Sequence, residues 1–254
     1  MSNVEINENE RIDDLQLNGL KIIQNKKAFC YGIDSVLLSD FSKEIKENSK
    51  VLDLGSGNGI IGFLLCGKTN LKNIIGIEIQ ADNCEMATRS ILLNNLQDRF
   101  QMIKGDIKNI EELVPRESFD AVVSNPPYKR ENSGVTNDSQ TKIIARHEVL
   151  CNLEDVIKAA FFALKEKGNL YIIHRPERIV DLLESMRRNR IEPKVIRLIE
   201  PKEGKKPNLV LVKGTKYGNP FVQVREPLIV YNGDGTYTEE IKQIYGVNQE
   251  GAKQ

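Results

Sequence analysis

Residues 50–62, Lys-Val-Leu-Asp-Leu-Gly-Ser-Gly-Asn-Gly-Ile-Ile-Gly, narrow the folds open to this chain more than any other stretch. Val51 to Leu54 reads as a buried strand, and the run through Phe63, Leu64 and Leu65 as an apolar helix. Between them Gly55, Gly57 and Gly59 form a loop whose backbone can approach a ligand closely, with a helix N-terminus pointing at it. Asn73-Ile-Ile-Gly-Ile-Glu78 then reads as a second strand whose terminal acid, Glu78, can hold ribose hydroxyls. A glycine loop alone is weak evidence. Strand, loop, helix, strand and acid in that order predict the opening unit of an α/β sheet.

The loop spacing is Gly-x-Gly-x-Gly, and Asp53 closes the strand just before it. An acid there is badly placed beside a pyrophosphate and well placed for a cationic ligand without phosphate. S-adenosylmethionine, with an ammonium, a sulfonium and no phosphate, fits that requirement better than a nicotinamide or flavin cofactor, or than a purely structural turn.

A second constellation follows at Phe119-Asp-Ala-Val-Val-Ser-Asn-Pro-Pro-Tyr128. Phe119 to Ser124 reads as a buried parallel strand, and the two prolines forbid its continuation, so Asn125-Pro126-Pro127-Tyr128 must leave the sheet as a stiff loop. The Asn125 side-chain oxygen and the Pro126 carbonyl can each accept from a planar –NH2 group, and Tyr128 can stack on the flat system that carries it. The blander reading is a proline-rich turn capped by its Asn.

Around these two motifs the chain reads in order as follows. Met1 to Glu10 is a polar, frayed start. Asp14–Leu17 and Leu20–Ile23 flank Asn18-Gly19 as a hairpin. Asp34 caps a helix through Val36, Leu37, Leu38 and Phe41. A helix spans Ala81–Asn95, and a third strand runs from Phe100 to Asp106. Asp106 can accept from an adenine amine or cap the short helix Ile107–Leu113. The Phe119 strand is the fourth parallel strand, beside the first. Lys129–Thr141 reads as a loop over the site, followed by Arg146-His147-Glu148, where His147 is an orienting or surface residue before it is a general base. A helix over Leu153–Lys167, a strand over Gly168–His174, and a helix over Glu177–Arg188 come next. Ile191–Ile199 and Asn208–Lys213 form an antiparallel edge, and Pro220–Tyr245 adds a small strand and a terminal helix. Three segments result: residues 1–45, a central domain at 46–216, and an extension at 217–254.

Lysine plus arginine and aspartate plus glutamate are both 36, so overall charge gives no support to a nucleic-acid partner. Between Ser185 and Lys216, however, ten basic residues face three acidic ones, which makes Arg187, Arg188 and Arg190 candidates for phosphate contacts, against the plainer reading of a solvated surface. Four scattered cysteines without a C-x-x-C pair read as reduced thiols. No apolar run approaches the ~18 residues of a membrane span, so a cytoplasmic chain without membrane or metal is expected.

The residues assembled so far resemble the class I S-adenosylmethionine-dependent methyltransferases, and within them the amino-methyltransferases bearing Asn-Pro-Pro-Tyr. The resemblance covers roughly Asn18 to Lys213. It is closest to the bacterial family typified by the tRNA1(Val) adenine-37 N6-methyltransferase, through Phe29-Cys-Tyr-Gly-Ile-Asp-Ser-Val-Leu-Leu38, Arg146-His147-Glu148 and Asn232-Gly-Asp-Gly-Thr-Tyr-Thr-Glu-Glu240. It implies a Rossmann-like fold with a mostly parallel seven-stranded sheet flanked by helices and an N-terminal β-hairpin. It also implies S-adenosylmethionine bound by Tyr31, Asp53, Gly55, Gly57, Gly59, Glu78, Asp106 and Asn125, and catalysis at Asn125, Pro126, Pro127 and Tyr128. The implied partner is RNA, most simply tRNA, met by Arg146, His147 and the Arg187–Arg190 cluster in a monomer or weak dimer. Glutamine N5-methyltransferases of release factors share Asn-Pro-Pro-Tyr, but usually begin with a longer helical domain and carry a Pro-Arg-Pro-Glu-Thr-like segment where this chain has Gly32-Ile-Asp-Ser-Val36. A catalytically idle RNA-binding module is a third reading, and the intact Asn125 beside an intact glycine loop argues against it.

Overall fold

The computed structural model of the chain describes residues 4–26, 32–126 and 152–246. After an N-terminal hairpin, β1 (Glu10–Asp14) and β2 (Lys21–Asn25), and helix α1 (Ile33–Phe41), five strands run parallel. They are β3 (Lys50–Leu54), β4 (Asn73–Glu78), β5 (Phe100–Lys104), β6 (Phe119–Ser124) and β7 (Leu164–His174). Helices α2 (Ile60–Lys68), α3 (Ala81–Leu93), α4 (Ile110–Leu113) and α5 (Leu153–Ala163) alternate with them. Helix α6 (Ile179–Arg188) leads to β8 (Ile191–Lys202), and β9 (Leu209–Lys216) returns antiparallel between β7 and β8.

The strand order β5-β4-β3-β6-β7-β9-β8 puts the switch point between β3 and β6, as the sequence predicts. Central strands are apolar on both sides because both are covered. Val51 belongs to the layer of Ile61, Leu64 and Leu65, and Leu52 and Leu54 to that of Val156, Ile157 and Ala160. All seven expected strands are present, but β8 is not the end of the sheet. The short strands β10 (Gln223–Val224) and β11 (Leu228–Tyr231) both pair parallel with it, giving a sheet of nine strands among the described residues, before helix α7 (Glu239–Tyr245).

Several local expectations shift. The first strand starts at Glu10 instead of fraying there, because the Glu10 carboxylate is buried against the Arg89 guanidinium at 2.6 and 2.8 Å. Asn18 and Gly19 do carry the left-handed turn, with φ of 51° and 70°, but the pairing resumes only at Asp14 and Lys21. The intervening apolar side chains of Leu17 and Leu20 instead lie against α2, where they crowd Gly67. The hairpin docks on α3 in a pairing-like way: the Ser90 hydroxyl accepts from Ile23 N–H at 2.9 Å, and the Asn94 amide both accepts from and donates to the Lys21 backbone. Asp34 lies inside the first turn of α1, whose N-cap is Gly32.

Helix α5 stops at Ala163, four residues before the expected end, because Leu164 is wholly buried and pairs with Phe119 in the sheet. Lys216, at the end of β9, is wholly buried at that corner. It donates to the Glu117 carboxylate and to the Phe161 and Leu164 carbonyls, so each of its three ammonium protons has an acceptor.

Candidate active site

The C-terminal ends of β3, β4, β5 and β6 open into one cavity of about 480 Å³, a volume ordinary for a small-molecule site. Its floor is built by the glycine loop. The amides of Gly55 and Ser56 donate to the Ile77 carbonyl at 3.1 and 2.9 Å, which ties the loop across to β4. Gly55 and Gly57 take positive φ, and a Cβ on either would stand in open space rather than against protein, as expected where a ligand is to lie. Gly59 has a different duty. It is the left-handed N-cap of α2, a Cβ there would meet Phe63, Phe100 and Ala87 at 3.1–3.3 Å, and it does not line the cavity.

Glu78 is fixed before any ligand arrives. Its carboxylate accepts from Gly57 N–H at 2.9 Å and from Gln80 N–H at 2.8 Å, and the residue is only 5% exposed. Asp106 lines the cavity and also accepts from Lys108 N–H at 2.9 Å to cap the turn Ile107–Asn109.

Asp53 departs from expectation. It is wholly buried behind the loop and does not line the cavity. One carboxyl oxygen accepts from the Ser56 hydroxyl at 2.6 Å and the other has no hydrogen-bond partner. Burial pushes this carboxyl up to about 7, with the nearby Glu78 charge adding to the effect. Its visible work is therefore to brace the loop from behind.

On the far wall the Ser124 hydroxyl donates to the Leu54 carbonyl at 2.9 Å, joining the tops of β6 and β3 and setting Asn125 and Pro126 beside the glycine loop. The Asn125 side chain donates to the Ser35 hydroxyl of α1 through a long bond of 3.4 Å. With its nitrogen turned to Ser35, its oxygen is left to accept from something in the cavity.

Of the residues expected to act together, Gly55, Gly57, Glu78, Asp106, Asn125 and Pro126 share this cavity. Tyr31, Pro127, Tyr128, Arg146 and His147 lie outside the described residues, as does the Lys129–Thr141 loop. Arg187, Arg188 and Arg190 are not brought to it. Helix α6 runs back from the end of β7, and Ile191 pairs with Lys216 at the opposite end of the sheet from Ser124. Arg187 there faces Glu192 at 3.2 Å, and Arg188 faces Glu154 at 2.6 Å.

The sequence reading missed Gln24 and Asn25 from β2, Asp34 and Ser35 from α1, and Asn58, Gln80 and Asn83. For Asn58 a signal existed, since it sits inside the glycine triplet. For the hairpin residues none did, because their place depends on docking to α3.

Three carboxylates, Asp34, Glu78 and Asp106, line the cavity, and no Lys, Arg or His does among the described residues. Such a wall favours a cation and disfavours a diphosphate. Two residues that carry oxygen acceptors, Asn125 with its Oδ1 and Pro126 with its carbonyl, also line it. The arrangement can hold a positively charged, flat-ended small molecule and present a neutral –NH2 group to it.

Comparison with known proteins agrees with this geometry. A family model described as a methyltransferase domain matches residues 45–207. The chain is 33% identical over 159 residues to the tRNA1(Val) (adenine(37)-N6)-methyltransferase of Flavobacterium johnsoniae, a match covering 62% of this chain and 66% of that one. It is 26% identical over 224 residues to the enzyme of the same name from Actinobacillus pleuropneumoniae serotype 7, covering 88% and 91%. Among solved structures, protein Atu636 of Agrobacterium tumefaciens, described as a predicted O-methyltransferase, superposes with a TM-score of 0.68 at 23% identity over 84% of this chain and 95% of that one. TYW2 of M. jannaschii, solved with AdoMet, superposes with a TM-score of 0.56 at 16% identity over 83% and 87%. At these identities the structural likeness speaks for the fold.

Proposed function

The chain belongs to the methyltransferase-domain family, and on that premise we propose that it transfers the methyl group of S-adenosylmethionine to the exocyclic N6 amine of an adenine in RNA, most simply in tRNA. The observation that carries this reading is a carboxylate-lined cavity, without cationic side chains among the described residues, set directly beside Asn125 and Pro126. The relatives named for tRNA adenine N6-methylation support the substrate class.

The residues fit the cofactor. Gly55 and Gly57 leave room for it, Glu78 is positioned to accept from ribose hydroxyls, Asp106 from an adenine amine, and the acidic wall tolerates the ammonium and sulfonium. When bound, S-adenosylmethionine supplies a methyl carbon activated by a positively charged sulfur leaving group.

The chain's own contribution is alignment. Asn125 Oδ1 and the Pro126 carbonyl accept the two protons of the target amine, which fixes the plane of the base and turns the nitrogen lone pair toward the cavity. Ser35 acts through Asn125, accepting from its nitrogen at 3.4 Å in the arrangement that leaves Oδ1 toward the cavity. Neither acceptor is a base at neutral pH, so the amine is held rather than deprotonated. Its proton passes to solvent water once the nitrogen has become cationic and therefore acidic. A paired adenine hides this amine, so the target is unstacked or sits in a loop.

The test is incubation with methyl-labelled cofactor and separate pools of tRNA, rRNA, DNA and release factor, followed by nucleoside mass spectrometry. Labelled N6-methyladenosine from tRNA is the expected outcome. Label on release-factor glutamine, or on none of the pools, would replace the proposal.

A further inference from the structure

The C-terminal extension carries a group of side chains that the cavity does not use. Tyr231 closes β11, Tyr237 bridges back to it in antiparallel fashion, and Tyr245 ends α7. Their rings stack in series, with centroids 5.2 Å apart at 15° and then 5.5 Å apart at 21°. The turn between the first two is rigidly built. Asn232 N–H donates to the Thr236 carbonyl, the Asn232 amide reaches Thr236 Oγ1 and the Tyr237 carbonyl, and Asp234 accepts twice from Thr236. Thr238 caps α7 and donates to the Ile229 carbonyl.

Tyr245 packs against the core, but Tyr231 and Tyr237 remain 36% and 37% exposed. A purely packing role needs no exposed ring at the outer end of the stack.

The position of the stack relates it to the site. Ser124 is level with Ile172, Ile172 with Val212, and Val212 with Ile196. Tyr231 pairs with Lys202, six residues further along β8. At ~3.3 Å per residue, β8 and β11 therefore rise about 20 Å above the level of the cavity, on the same end of the sheet, with β11 about four strand spacings (~19 Å) to one side. One lysine of this flank reaches the turn that carries the stack: the Lys202 ammonium donates to the Gly233 carbonyl at 3.2 Å. Glu200 and Glu203 lie in the same segment, so charge alone does not define the surface, and the rings must carry its specificity.

We propose that the Tyr231–Tyr237–Tyr245 stack is a docking platform on which a base of the substrate RNA stacks, some way along the strand from the methylated adenine. The offset of just under 30 Å corresponds to roughly eight nucleotides of stacked strand. The ring stack extends onto a nucleobase without sequence preference, since every base offers a flat face. This inference rests on the RNA reading above.

The experiment is tRNA binding and methyl transfer by the wild type, Tyr231→Leu and Tyr231→Phe across a salt series, with thermal unfolding as a fold check. Tyr231→Leu is expected to bind tRNA roughly 5- to 100-fold more weakly with the same salt slope, since a ring and not a charge is lost, while Tyr231→Phe stays within about twofold of wild type. Photo-crosslinking of 4-thiouridine-substituted tRNA to the wild-type protein is expected to label residues 228–245 and needs no variant. Wild-type transfer to tRNA together with unchanged Tyr231→Leu affinity, or crosslinks that avoid 228–245, overturns the platform alone. A change in oligomeric state at unchanged tRNA affinity reassigns the surface to self-association. Absence of label in tRNA with the wild type defeats the functional reading first and the platform with it.

Discussion

Glu78→Gln is the sharpest single perturbation of this site. The carboxylate accepts two backbone amides, Gly57 N–H at 2.9 Å on one oxygen and Gln80 N–H at 2.8 Å on the other. A glutamine of the same shape offers one oxygen and one –NH2 group, so one of the two amides, Gly57 or Gln80, must face a donor. Hydrogen bonds to charged groups contribute about 1.5–3 kcal/mol each, and the ligand hydroxyls that remain now meet a neutral acceptor, which costs about 1 kcal/mol more. The sum, about 2.5–4 kcal/mol, corresponds to cofactor binding weakened roughly seventy-fold to several hundred-fold.

Isothermal titration of S-adenosylmethionine into wild type and variant measures this directly, and ligand-free thermal unfolding separates loss of affinity from loss of fold. A neighbouring control is Asp106→Asn. Asp106 is more exposed and holds one backbone amide, that of Lys108, with the Lys108 ammonium at 3.7 Å, so about tenfold is expected there. If Glu78→Gln binds the cofactor within threefold of wild type while its melting temperature falls, Glu78 only ties the loop to β4, and the assignment of the cavity's ribose end is wrong.

Three further outcomes follow from particular contacts. Asn125→Ala is expected to lower turnover on tRNA by about a hundredfold through lost alignment, with cofactor affinity within about threefold by the same titration; equal single-turnover rates would remove Asn125 from its role. The Arg89 guanidinium holds the Glu10 carboxyl down at about 2 from an ordinary 4.5, so its stabilisation is complete above pH 4.5 and is lost as pH falls toward 2. Arg89→Leu should therefore cost about 1–3 kcal/mol in urea unfolding at pH 7 and much less near pH 2, and an equal cost at both would refute the linkage. For Asp53 the sign reverses: with its folded value raised to about 7, folding favours the protonated acid and stability declines as pH rises from about 4 through 7. Ligand-free Asp53→Asn should then lose the part of that slope owed to this group, which melting curves at pH 5 and pH 8 would reveal.

Much of the site is local in sequence and was legible for that reason. A strand, three glycines and a helix are contiguous, Glu78 follows one βα unit later, and prolines 126 and 127 stop their strand whatever surrounds them. The nearest-neighbour pairing of β6 with β3 followed from the same regularities. What the chain alone did not contain was depth and direction. Asp53 looked like a ligand contact because its position in the chain is right, but its burial comes from the loop folded over it. Arg187, Arg188 and Arg190 are neighbours in the sequence, but only the fold shows that α6 carries them to the end of the sheet away from the cavity.

The hairpin's Gln24 and the first turn of α1 reach the cavity only because contacts such as Glu10 with Arg89, 79 residues apart, and Asn125 with Ser35, 90 apart, close long loops. Sequence by itself thus determined the alternation of strands and helices and the chemistry at the strand ends, since φ restrictions, apolar runs and residue types act over a few neighbours. Tertiary structure alone decided which acid faces the cavity, which end of the sheet holds the arginines, and where the tyrosines stack, because burial and proximity depend on pairings between segments far apart in the chain.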